Sequence, residues 1–368
     1  MKEIKEGEAT FLVPDRSLTR KAVAFYNPEM GYQRDLTMSA LRAFQRSAGH
    51  DLSVCDPLAG TGVRSARIAL EVPGISGIAV NDANPRAYGL IKKNMGGNAI
   101  AKSIRIEATS RNANILFLEN PRRFDYIDID PFGSPVSFIF NAGHALKPRS
   151  MLACTATDTG ALCGAFPGTC FTRYGIRAVK TDFFKETGIR VLTTAIMIEL
   201  ARHDISFMPL YSHSNHYFRV IGAARRSKSG LSSQFKKIGF VSYCGSCLFR
   251  AARIMPECPH CGKGLSIIGP IWLGPMHDRD FCLKMLDDLR SRGYGRTKEL
   301  ETCIGEACVP FYYDLPRVFR ALRKPPRRME DVMMILRDSW HAASRTHLSP
   351  TGLITDAPHA EVLRAAGN

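Results

Sequence analysis

The chain has 368 residues, 45% of them hydrophobic, enough for two or three domains with sizeable cores. Its formal net charge of +16 bears on partners rather than on fold, and it favours nucleic acid or an anionic surface. No run approaches the ~20 apolar residues of a membrane span, and the opening Met1-Lys2-Glu3-Ile4-Lys5-Glu6 is unlike a signal peptide, so a cytoplasmic protein without membrane contact is expected.

Glu8 to Val13 alternates as a short strand and stops at Pro14. Phe25-Tyr26-Asn27-Pro28-Glu29-Met30 is an irregular segment shaped by its Asn-Pro step, and Gln33-Arg34-Asp35 opens a helical pattern through Phe44. Leu52 to Cys55 reads as a first core strand, followed by Asp56-Pro57-Leu58-Ala59-Gly60-Thr61-Gly62-Val63-Arg64 and an apolar helix to Leu70. Two close glycines between a strand and a helix let a cofactor approach the backbone. A second strand, Gly77 to Val80, ends at Asn81-Asp82. Asp82 lies twenty residues past Gly62, the spacing at which an acid meets ribose hydroxyls in doubly wound sheets. Position 65, where a dinucleotide fingerprint wants its third small residue, is Ser and not Gly; with the spaced acid and the Asp-Pro-Phe-Gly loop downstream, S-adenosylmethionine is favoured over NAD. Arg105 to Thr109 reads as a third strand, with Asn112-Ala113-Asn114 at its end, where an adenine contact would fall.

The chain is organised around Phe124-Asp125-Tyr126-Ile127-Asp128-Ile129-Asp130-Pro131-Phe132-Gly133. Its first part is a buried strand, and proline then fixes φ and withdraws a donor, leaving a rigid loop at the carboxyl edge where open α/β sheets bind ligands. An Asp-Pro-aromatic tip suits group transfer onto a planar exocyclic amine. A carboxylate and a backbone carbonyl accept the two amine hydrogens and localise its lone pair, while the aromatic ring stacks on the base. The same four residues also describe a plain strand-ending loop with a buried Phe. Val136 to Leu146 then reads as a helix and Met151 to Asp158 as a further buried strand, so strands and helices alternate as in a parallel sheet. Residues 163–180 read as a loop in which Cys163 and Cys170 pack as small side chains. A helix through Arg190 to Leu200 and a strand from Ile205 follow, and His213 to Arg219 reads as a solvated strand face or an RNA-facing one.

Cys244-x-x-Cys247 and Cys258-x-x-Cys261 form the strongest spacing signal. Four thiolates close a tetrahedral site, so the expected metal is structural Zn2+, and Gly245 and Gly262 supply the tight turns of a knuckle. Further on, Arg317-x-x-Arg320-x-x-Arg323-Lys324-x-x-Arg327-Arg328 places six cations and no acid within twelve residues. Arg317, Arg320 and Lys324 are expected on one helical face that contacts phosphate, with Val318, Phe319 and Leu322 packed inward. A helix bearing Val332, Ile335, Leu336 and Trp340 follows, and Pro350-Thr351-Gly352 reads as a hairpin turn.

Taken in order, these motifs resemble the tRNA (guanine-26 N2)-dimethyltransferase family of archaeal type. The likeness is carried by Phe25-Tyr26-Asn27-Pro28, Asp56 to Arg64, Asn81-Asp82, Asp130-Pro131-Phe132-Gly133-Ser134-Pro135, Thr155-Ala156-Thr157-Asp158, Gly269-Pro270-Ile271-Trp272 and Arg345-Thr346-His347-Leu348-Ser349-Pro350. It spans nearly the whole chain. The resemblance implies an α/β fold, a class I Rossmann-like S-adenosylmethionine-dependent methyltransferase domain over residues 1–238. A zinc knuckle at 239–268 and a small α+β tRNA-binding domain at 269–368 would follow. It further implies that Arg34, Gly60, Arg64, Asp82, Asn112 and Ala113 hold the cofactor, although the family usually has an acid at the position of Asn112. Asp130 and Pro131 would engage the amine, with Phe132 and Phe25 about the base, and tRNA as partner with no obligate protein partner. An amine methyltransferase of another RNA or of DNA is the nearest alternative, and a cytosine carbon-5 enzyme using Cys154 a more distant one.

Overall fold

Every residue of the organising strand is buried, as its Phe, Tyr and Ile content demands of a strand covered on both faces. In the computed structural model, which describes residues 1–15 and 24–367, a hairpin of β1 (Lys2–Glu6) and β2 (Ala9–Val13) precedes α1 (Gly31–Ala48). Then β3 (Leu52–Asp56), α2 (Val63–Glu71), β4 (Ile75–Asn81), α3 (Pro85–Gly96), β5 (Arg105–Thr109), α4 (Ala113–Leu118), β6 (Phe124–Ile129), α5 (Val136–Ala145) and β7 (Leu146–Ala156) alternate. Local chemistry sets the helix starts. In α3, Pro85 occupies the first turn and Asn84 accepts the backbone N–H of Arg86 at 3.0 Å. After α6 (Thr159–Leu162), α7 (Pro167–Tyr174) and α8 (Phe184–Ala201), strands β8 (Ile205–Ser214) and β9 (Phe218–Arg226) complete the sheet. Helix α7 lies inside the stretch read from sequence as a loop, because Pro167 starts a turn that buries Cys170 and Tyr174.

The sheet order is β5-β4-β3-β6-β7-β9-β8, with β3 to β7 parallel and β9 antiparallel to both its neighbours. The chain winds outward in opposite directions from β3 and β6, so their carboxyl ends flank the topological switch point.

Past the sheet, α9 (Lys228–Phe235) leads to a three-stranded unit of β10 (Ile238–Tyr243), β11 (Arg250–Ala251) and β12 (Ser266–Trp272). Strand β12 runs across the 268/269 seam drawn from sequence, and Trp272 pairs with Ile238. Next, α10 (Arg279–Ser291) and α11 (Lys298–Ile304) join the core of the methyltransferase sheet's first half rather than the chain's end. Ser39 of α1 donates to the Met285 carbonyl at 2.8 Å, and Arg42 forms a fully buried ion pair with Asp288 at 2.6 Å.

The remaining unit comprises β13 (Tyr313–Asp314), α12 (Leu315–Leu322), α13 (Met329–Asp338), β14 (Ala343–Thr346), β15 (Ser349–Thr355) and α14 (His359–Gly367). Three readings change here. Helix α12 ends at Leu322 because Arg323 adopts a left-handed φ of 54°, so Lys324 does not continue the face of Arg317 and Arg320. Pro350 to Gly352 lie within β15, and the turn is His347-Leu348, whose imidazole is tied to Glu306 at 2.6 Å and to the Ser212 carbonyl at 2.9 Å. Trp340 falls outside α13, at a φ of 64° and 96% exposed. The inward packing of Val318 and Phe319 is as the sequence indicated.

Candidate active site

A cleft of about 720 Å³ opens over the carboxyl ends of β3, β4 and β6, within the size range of small-molecule sites. Its walls come from four segments distant in sequence: residues 24–34, the β3–α2 turn, the start of the loop after β4, and the Asp130 loop. The β8–β9 turn adds Asn215, His216 and Tyr217.

The β3–α2 turn needs glycine twice. Gly60 has a φ of 57° and Gly62 a φ of 79°, and a Cβ on Gly60 would stand 2.9 Å from the Phe25 carbonyl oxygen. Gly60 donates its N–H to Asp82 Oδ2 at 2.9 Å, while the Asn84 N–H reaches Oδ1 at 2.9 Å. These bonds fix the Asp82 carboxylate at the cleft, where burial raises its pKa. Three buried polar atoms of the lining lack a hydrogen-bond partner: Asp56 Oδ1, Thr61 Oγ1 and Arg64 Nε. Burial pushes the Asp56 carboxyl up to about 7, against the pull of Arg64. Unpaired buried polar atoms beside a glycine turn and a poised carboxylate suit a ligand with its own amino, carboxylate and hydroxyl groups. S-adenosylmethionine has that donor and acceptor set, and the residues present fit it.

The reactive side of the cleft is built by the loop after β6. Gly133, at a φ of 84°, donates its N–H to Thr157 Oγ1 at 2.6 Å and accepts the Thr157 N–H at 2.9 Å, which pins the loop to the end of β7. Phe132, half exposed, meets Phe25 edge to face with ring centroids 4.9 Å apart. Asp130 accepts from Arg64 Nη2 at 2.5 Å through Oδ2. Arg64 also meets Asp128 Oδ1 at 3.2 Å, and Asp128 is held from its other side by Arg219 at 2.7 Å and by the Tyr126 hydroxyl at 2.6 Å. Burial alone would raise Asp128; Arg219 and Arg64 outweigh it and keep the carboxylate below its usual range.

The structure therefore brings Phe25, Arg34, Gly60, Arg64, Asp82, Asp130, Pro131 and Phe132 to one cleft. Arg34 borders it with its guanidinium already bidentate on Glu6, at 2.6 and 2.5 Å, and donating to the Asn27 carbonyl at 3.1 Å. That geometry braces the segment carrying Phe25. Asn112 and Ala113 stand at the end of β5 outside the lining; Ala113 is buried, and Asn112 Oδ1 caps α4 through the Asn114 N–H at 2.9 Å. The stretch His213 to Arg219 is corrected in part. His213 and Arg219 are buried rather than solvated, whereas His216 and Tyr217 line the cleft. Asp128 and Arg219 escaped sequence reasoning; the available signal was two acids, Asp125 and Asp128, inside an otherwise apolar strand. Cys154 lies fully buried in β7, and burial raises its thiol pKa, so it is not placed to act as a nucleophile.

At the zinc unit the four sulfurs of Cys244, Cys247, Cys258 and Cys261 lie within 4.8 Å of one another, two pairs at 3.5 and 3.4 Å. Tetrahedral Zn–S bonds of about 2.3 Å place sulfurs about 3.8 Å apart, so this arrangement fits a closed structural zinc. Arg250, on β11, links the unit to the rest of the chain through Asp182 at 2.7 Å.

A seven-stranded sheet reversed at its sixth position, with a glycine turn and an Asp-Pro-Phe-Gly loop over its switch point, defines a class I methyltransferase fold. The chain belongs to a particular family within it: residues 7–366 match the family model described as N2,N2-dimethylguanosine tRNA methyltransferase. The tRNA (guanine(26)-N(2))-dimethyltransferase of Methanothermobacter thermautotrophicus is 37% identical, over 98% of this chain and 97% of that protein. Its counterpart from Thermococcus kodakarensis is 33% identical over 99% and 98% of the two chains. The solved structure of Trm1 from Pyrococcus horikoshii with S-adenosyl-L-methionine superposes with a TM-score of 0.90 at 29% identity, covering 99% of each chain.

Proposed function

We propose that this protein transfers one or two methyl groups from S-adenosylmethionine to the exocyclic amine of guanosine 26 in tRNA. The observation that carries the reading is the convergence of Asp130, Phe132 and Phe25 on the mouth of one cleft whose floor fits the methyl donor.

Bound S-adenosylmethionine supplies an electrophilic methyl group. In this reading Gly60, Asp82, Arg64 and the orphaned atoms of Asp56 and Thr61 hold it, with Asn112 and Ala113 bordering its adenine end. The chain's own task is to make a poor nucleophile competent. Phe132 and Phe25, edge to face, form an aromatic corner against which the guanine ring rests. Asp130 and the Pro131 carbonyl accept the two amine hydrogens, which concentrates the nitrogen lone pair away from the ring. Arg64 occupies Oδ2 of Asp130 and leaves Oδ1 for the amine. As the N–C bond forms, positive charge grows on nitrogen, and the carboxylate stabilises that charge more than it stabilises the ground state. The departing proton then leaves by way of Asp130 to water.

The residues after 304, which carry the cation-rich segment, serve in this reading as the tRNA grip, and the zinc unit holds that region in place. None of the eleven cysteines is in a disulfide, which supports work in a reducing compartment such as the cytoplasm. Nucleoside mass spectrometry of tRNA transcripts incubated with the protein and labelled methyl donor tests the assignment. N2-methyl- and N2,N2-dimethylguanosine are expected; label on cytosine or adenine would refute it.

A further inference from the structure

A second concavity, of about 490 Å³, lies in the C-terminal unit. Its floor is apolar, built from Leu315 and Phe319 of α12 and Met329 of α13, with Pro316, Pro326 and Pro350 as walls. Four cations ring it: Arg320, Lys324, Arg327 and Arg345. Arg345 is fixed by Glu330 and donates to the Pro350 carbonyl at 3.4 Å. Among the described residues, Arg320, Lys324 and Arg327 have no ion-pair partner.

The backbone is strained to assemble this rim. Arg323 takes its left-handed φ without being glycine, a conformation that side chains with a Cβ seldom adopt. The resulting turn lets the Lys324 N–H bond the Phe319 carbonyl at 3.1 Å and folds 324–327 over the end of α12. Arg320, Lys324 and Arg327, gathered with no acid paired to them, add electrostatic cost in the same place. A merely solvated basic face needs neither the strain nor an apolar concavity beneath it.

We propose that this groove takes one unpaired nucleotide of the substrate tRNA. The base lies against Phe319, Met329 and the prolines, and the flanking phosphates meet the four cations. A duplex presents phosphates on a convex surface and has no use for an apolar floor, whereas an unstacked nucleotide matches both the floor and the rim. The groove is a second anchor on the tRNA, separate from the methylation cleft. The inference rests on the tRNA reading above.

Pro326→Trp and Pro350→Trp fill the groove from two walls without removing a cation, and both prolines are exposed, so the fold should survive. A third variant, Arg320→Gln/Lys324→Gln/Arg327→Gln, removes charge without filling space. Dissociation constants for an unmodified tRNA transcript are measured across salt for each, with thermal melting as the check on folding. In parallel, wild-type protein is cross-linked to the transcript by ultraviolet light and the adducts mapped by peptide mass spectrometry. Each tryptophan variant should weaken tRNA at least tenfold with an unchanged salt slope. The triple variant should flatten the slope by about two units, as three lost contacts to single-stranded phosphates require. A wild-type adduct should map to the groove and vanish on filling. Folded tryptophan variants with wild-type affinity and no groove adduct would overturn the proposal and leave the concavity to an acidic polypeptide. A groove adduct without any methylguanosine product would instead refute the enzymatic reading while the groove stands.

Discussion

Replacing Asp130 by Asn keeps the shape of the side chain and one acceptor while deleting a charge. In the native cluster two carboxylates, Asp128 and Asp130, face two guanidinia, Arg64 and Arg219, so the formal charges cancel. Asp130→Asn leaves that cluster one positive charge in excess, directly beside a nitrogen that becomes positive in the transition state. A full charge pair at about 4 Å is worth about 4 kcal/mol at the effective dielectric of a partly buried site. With the methyl group roughly half transferred, the loss is about 2–3 kcal/mol, or roughly 30- to 150-fold in rate. Single-turnover assays with labelled methyl donor and saturating tRNA measure it, alongside the tRNA dissociation constant, which should not change. Both transfers should slow together, because the monomethylated amine presents its remaining hydrogen to the same oxygen. A first-methyl rate within fivefold of wild type would refute the role given to this carboxylate.

Three other perturbations are diagnostic. Phe132→Ala removes one ring of the edge-to-face pair and should lower kcat/KM by a factor corresponding to about 1–3 kcal/mol, measured by steady-state methylation of tRNA. Elemental analysis should find about one zinc per chain, and Cys258→Ser should lower the melting temperature far more than the turnover of the protein that remains folded. Asp56 has its carboxyl raised by burial from 3.8 to about 7, so the stability it lends its protonated form is fully present below about pH 3.8 and lost as pH rises through 7. Asp56→Asn, neutral throughout, should therefore gain stability on cofactor-free wild type between about pH 4 and 7, by on the order of 4 kcal/mol; denaturant unfolding across that range measures the difference, and a flat one contradicts the assignment.

What the sequence made legible was whatever is encoded locally. The glycine turn after Cys55, the acid after β4 and the Asp-Pro-Phe-Gly stop each announce a strand's carboxyl end, and a doubly wound sheet gathers such ends at one edge. Phe25 could be placed there only through family resemblance, since nothing local distinguishes it from a core residue. The Asp128–Arg219 pair lay out of reach for a different reason. Its partners are 91 residues apart, joined by the register that sets Thr155 of β7 opposite Arg219 of β9. The turn at Arg323 was only half legible: Pro325-Pro326 bars helix at Lys324, but nothing in Leu322-Arg323-Lys324 tells that the stop comes a residue earlier, at a left-handed φ. The zinc quartet was the reverse case, four residues whose spacing states both their partners and their role.

The seating of α10 and α11 against α1 bears on how the protein is made. The bond from Ser39 to Met285 and the Arg42–Asp288 pair join residues 246 positions apart. Until those helices leave the ribosome, Arg42 has no carboxylate, and the apolar face that α10 covers stays open to water or to a chaperone. Synthesis at about 5–20 residues per second makes that wait roughly ten seconds to a minute. Swapping the chain's last hundred residues for those of a relative would therefore exchange part of the catalytic half's own interior.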